Sequence, residues 1–150
     1  MNIFHQGPGS VWLSKVPEGQ TLEAYKGDGD WFKIASAAGS GRAVWALDYL
    51  PNWNITVPKT TPPGKYLMRI EHFYPRVDIR DRPDLKPHAD TQFYVNCAQV
   101  EIVGEGGGKP APLVKIPGVY KWPQKDVNFD ISGMYDSSKY VAPYSPVWMG

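Results

Sequence analysis

Gln92 and Tyr94 stand two residues apart in Thr91-Gln92-Phe93-Tyr94-Val95-Asn96-Cys97-Ala98-Gln99, a run with the aromatic and β-branched character of a strand. Residues i and i+2 of a strand project from the same face, so the amide and the phenol lie one pleat apart on one surface. Such a pair can wall a polar active site, the amide orienting a small ligand and the phenol lying near a metal. It can also be a hydrogen-bonded pair on an ordinary sandwich strand, and spacing alone favours that plainer reading. Metal chemistry would also need converging nitrogen ligands. The three histidines, His5, His72 and His88, are widely separated and fit no local metal-binding spacing.

The elements that would hold these groups read as strands. The predicted runs are 11–16, 31–34, 43–49, 53–57, 65–74 and 92–103, and Pro62-Pro63-Gly64 turns the chain into the fifth. Helix-like windows at 21–26 and 35–38 are short and bounded by Gly. Fifteen Gly, fifteen Pro, six Trp and nine Tyr in 150 residues describe a loop-rich, aromatic-rich β protein of one domain. The expected class is all-β, an antiparallel sandwich of immunoglobulin or fibronectin type with long loops. The charged segment 75–90 and the Gly/Pro-rich chain from Gly104 onward are the two long irregular stretches.

Composition narrows the function classes. Sixteen basic and fifteen acidic residues are interspersed and give a net charge of +1, which predicts no nucleic-acid surface. No apolar run reaches the length of a membrane span. The N-terminus has neither the basic nor the apolar region of a secretory signal. Asn54-Ile55-Thr56 nevertheless forms an N-glycosylation acceptor triplet. The lone Cys97 lies mid-strand, where burial is expected.

His5-Gln6-Gly7-Pro8 followed by Val11-Trp12-Leu13-Ser14-Lys15-Val16 resembles the histidine–glycine–proline segment of fungal lytic polysaccharide monooxygenases of auxiliary activity family nine. The resemblance continues in order through Trp31-Phe32-Lys33-Ile34, Trp45 to Leu50, Pro63 to Glu71, Gln92 to Gln99, Pro117-Gly118-Val119-Tyr120 and Tyr140-Val141-Ala142-Pro143. It covers essentially the whole chain. It implies copper-dependent oxidative cleavage of cellulose or related β-1,4-glucans by a secreted, monomeric enzyme that takes electrons from an external donor. In that reading His5 is the internal imidazole ligand of copper, Tyr94 the axial phenol, and Gln92 the amide beside the metal. Tyr140 matches a surface tyrosine that packs on a glucose ring.

The chain also departs from the family pattern. The resemblance is to the C-terminal two-thirds of such a domain, so an N-terminally truncated chain and an incomplete sandwich are expected. The family's other imidazole comes from a first-residue His, whereas Met1 stands here and cleavage after Phe4 would expose only the internal ligand. The family's counterpart of Cys97 pairs with a cysteine of that earlier segment. The family's further histidine near the copper falls on Arg76, which stays charged near neutral pH, leaving His72 or His88 to replace it. A second expectation is a non-catalytic carbohydrate-binding sandwich using Tyr140, Tyr144, Trp148 and Trp12, although Trp12 and Trp148 read more naturally as core.

Overall fold

The computed structural model describes residues 2–42, 44–75, 91–121, 127, 129, 131, 136–142 and 145–150. Among the described residues six strands form in chain order: β1 (Gly9–Lys15), β2 (Phe32–Ala37), β3 (Gly39–Gly41), β4 (Val44–Trp45), β5 (Gly64–Tyr74) and β6 (Gln92–Ile102). Among the described residues the only helical element is a short 3-10 turn, Ser137–Lys139. A four-stranded antiparallel sheet runs in the order β2-β1-β5-β6, and β3 and β4 form a two-stranded ribbon. The all-β, antiparallel expectation holds.

β1 is central and buried on both faces. Val11 and Leu13 point one way into a cluster with Phe32, Ile34, Tyr66 and Trp148. Ser10 and Trp12 point the other way, where Trp12 packs with Trp31 and Val119. Trp12 and Trp148 are thus core residues, as their sequence context suggested.

The second face also hides a carboxylate. Glu71 is completely buried and pairs with Arg69, Nε to Oε1 at 2.7 Å. Its other oxygen accepts from Ser10 Oγ and Trp12 Nε1, each at 3.1 Å, and from Tyr120 Oη at 2.5 Å. A buried charge is tolerated only when its partners replace water, and here four groups do so.

Three local expectations change. Strand 31–34 extends to Ala37, absorbing most of the second helix-like window. Of the described residues 44–49 only Val44–Trp45 forms a strand, because turn hydrogen bonds from Asp48 N to Trp45 O and from Leu50 N to Leu47 O bend the chain. Segment 53–57 is not a strand. Trp53, Ile55 and Val57 do alternate inward against the β1 cluster, but no neighbouring strand supplies a ladder.

Cys97 corrects another expectation, since it is exposed rather than buried. It lies on β6, the edge of the sheet, on the face shared with Phe93 and Val95, where all residues from Gln92 to Gln99 are exposed. Asn54 is also exposed. No helix among the described residues is long and apolar enough to cross a membrane.

Candidate functional site

The β5–β6 register is unbroken from Gly64↔Ile102 to Tyr74↔Gln92. Alternation therefore puts Ile70, His72 and Tyr74 on the same face as Asn96, Tyr94 and Gln92, with His72 directly opposite Tyr94. On the other side His72 faces Gly9 of β1. That glycine leaves little room: a Cβ there would meet Leu47 Cδ1 at 2.5 Å.

His5 reaches this face from the segment ahead of β1. Gly7 makes the approach possible, with φ of 147° and no space for a side chain, since a Cβ would lie 2.0 Å from the Phe73 carbonyl oxygen. Phe73 N donates to Pro8 O at 3.1 Å and Tyr49 N to Ile3 O at 2.8 Å, tying the segment on both sides of His5. The imidazole stacks on Tyr74, with centroids 4.7 Å apart and planes at 19°, and on Tyr94, at 5.3 Å and 24°. Gln92 completes the group, because Tyr94 Oη donates to its Oε1 at 2.5 Å. The structure therefore brings His5 together with Gln92 and Tyr94, which lie far from it in sequence.

The surrounding cleft of about 590 Å³ is lined by Asn2, Ile3, Phe4, His5, Ile70, His72, Tyr94, Val95 and Asn96. None of these side chains carries a permanent charge. Tyr94 is 44 % exposed and Phe4 65 %, so the face is open to a large ligand. His72 lies at its floor, with a ring centroid 6.1 Å from that of Tyr94. Burial holds its pKa below the ordinary histidine value, and the nearby His5 charge adds to the shift. Backbone carbonyls of Gly7 and His5 and the Asp48 carboxylate oppose it. The net effect keeps His72 neutral at neutral pH, with a lone pair free to accept or ligate.

Sequence spacing did not reveal this position of His72. Its only signal is phase with Tyr94 across two strands, which needs the register. His88 and Arg76 lie outside the described residues, as does Tyr144.

Tyr140 is a correction. It is only 8 % exposed and packs among Trp45, Phe73 and Phe129, with centroid separations of 5.6, 6.4 and 5.3 Å. Phe73 lies on the opposite face of the sheet from Tyr94, because adjacent residues of β5 point opposite ways. Tyr140 is therefore a core residue away from the His5 face, without the exposed ring that stacking on a sugar requires. With Trp12 and Trp148 also buried, the aromatic platform of a pure carbohydrate-binding module loses its described members.

As donors, an imidazole, a phenol and a second imidazole with an unpartnered buried Nε2 suit a borderline transition metal better than a hard cation. Among the described residues no three His, Cys, Asp or Glu side chains converge.

Solved polysaccharide monooxygenase structures share this antiparallel β architecture. The model of Auxiliary Activity family 9 (formerly GH61) matches residues 1–140, and the chain belongs to that family. It is 39 % identical over 158 residues to AA9 family lytic polysaccharide monooxygenase U of Thermothielavioides terrestris, covering 99 % of this chain and 57 % of that protein. It is 35 % identical over 156 residues to AA9 family lytic polysaccharide monooxygenase G of Aspergillus tamarii, covering 99 % and 44 %. The chain spans about half the length of these curated relatives. Among solved structures, a cellulose-active polysaccharide monooxygenase from M. thermophila superposes with a TM-score of 0.78 at 27 % identity, covering 99 % of this chain and 68 % of that one.

Proposed function

We propose that this chain carries the internal-histidine side of a copper site for oxidative cleavage of cellulose or a related β-1,4-glucan. The observation that carries the reading is the stacking of His5 on Tyr94, 5.3 Å apart, on an exposed sheet edge. Bound copper would supply one-electron redox chemistry, with electrons from an external donor. His5 offers the ligand nitrogen, and Tyr94 places its phenol beside it. Gln92 fixes that phenol by accepting its hydrogen bond at Oε1, 2.5 Å away, and leaves its amide NH₂ free to orient a small polar ligand. The open, uncharged cleft supports approach to a flat, neutral polysaccharide surface. Family membership supports work outside the cell, where such polymers are found.

The test is titration of the purified chain with Cu(II) under electron paramagnetic resonance. One type-two copper is expected, and His5→Ala should weaken binding roughly 100-fold or more, beyond what loss of a supporting partner costs. Unchanged affinity and spectrum in His5→Ala would remove the assignment.

A further inference from the structure

His72 is not accounted for by the ligands and supporting groups assigned above. It is 8 % exposed, and its Nε2 is buried with no hydrogen-bond partner. A buried imidazole nitrogen left unpaired is costly, and such atoms in native proteins mark a missing partner. Backbone carbonyls of Gly7 and His5 lie beside the ring and act on it, while Nε2 itself has no hydrogen-bond partner. Imidazole binds transition metals through an unprotonated ring nitrogen, so a buried Nε2 without a hydrogen-bond partner is an available ligand atom.

The carbonyls beside this ring belong to the same short segment that delivers His5. Both imidazoles approach Tyr94, at 5.3 and 6.1 Å between centroids, and both line one cleft. Gly9 beside His72 has no side chain to block it. Asp48 is an acidic group that acts on His72, and its Oδ1 is also unpartnered, so it adds a negative field without occupying Nε2.

We propose that His72 Nε2 is a second imidazole ligand, so that this chain binds a divalent transition metal through His5 and His72 with Tyr94 beside them. This rests on the copper reading above but adds a ligand that the motif pattern does not supply. The two imidazoles would form a site entirely from β5 and the segment preceding β1.

Pulsed electron paramagnetic resonance of the Cu(II)-loaded chain counts coupled imidazoles through their remote nitrogens. Two are expected in the unmodified chain and one in His72→Gln, with affinity falling roughly tenfold or more. Circular dichroism and thermal melting check that the variant is folded. Should His72→Gln misfold, long-range ¹H–¹⁵N spectra of the unmodified chain with Zn(II) give the answer directly, because Nε2 of both His5 and His72 should shift. If His72→Gln retains two imidazoles, or if only the His5 nitrogen moves with Zn(II), the inference is overturned while the His5 assignment stands. If only the His72 nitrogen moves, or His5→Ala binds unchanged, the His5 assignment fails and with it the paired site.

Discussion

β1 and β6 belong to one sheet and obey the same alternation, yet they meet opposite surroundings. Every residue of β1 from Gly9 to Ser14 is buried, and its polar members lie within hydrogen-bond networks. Every residue of β6 from Gln92 to Gln99 is exposed, and it carries Gln92 and Tyr94. The central strand holds the fold together and tolerates no unpaired polar group. The edge strand, wet on its outer side, can offer polar side chains to a ligand because burial does not claim them.

The comparison can be broken first at Glu71. Removing this carboxylate leaves Arg69, Tyr120 and Ser10 facing a buried gap, so Glu71→Ala should lose about 3–5 kcal/mol in urea denaturation. An effect below 1 kcal/mol would mean the network is not what secures the central strand.

Tyr140→Ala comes next, at about 3 kcal/mol, because the ring fills a cluster with Trp45, Phe73 and Phe129. Its thermal denaturation should shift markedly while cellulose binding, measured per folded molecule, stays unchanged. Lost cellulose binding with unaltered stability would restore the sugar-stacking role.

Gly7→Ala should cost about 1–3 kcal/mol through backbone strain and the clash with the Phe73 carbonyl, and should also weaken Cu(II) binding by displacing His5. Titration of both quantities on one preparation tests the coupling between turn and site.

A smaller effect is expected with pH. Burial pushes the Lys33 ammonium, 4.9 Å over the Trp12 ring, down to about 8 from 10.5, against the pull of Glu71. Between these values the unfolded chain binds more protons at this group, so stability should rise from pH 8 to about 10. The rise should be absent in Lys33→Met.

Smallest of all, Tyr94→Phe should leave stability within about 0.5 kcal/mol, since this edge phenol bonds only another edge side chain. Its copper spectrum should nonetheless change. A large loss of stability would show that β6 is as structural as β1.

Much of this was readable from local pattern. The strands at 65–74 and 92–103, the shared face of Gln92 and Tyr94, and the ordered segments resembling the family all follow from side-chain type and a period of two, which depend on near neighbours. The segment 53–57 misled because apolar alternation signals burial on one side, and a strand also needs a partner for its backbone.

What lay beyond the sequence depended on which distant surfaces meet. His5 joins Tyr94 only because Gly7 admits the chain against the Phe73 carbonyl. His72 enters the cleft only because register pairs it with Tyr94 and Gly9. Tyr140 is buried, and Cys97 exposed, according to what packs on each side of the sheet. Alternation is a property of one strand, written in its own residues. Exposure is a property of the neighbours that cover it, and only the folded chain supplies those.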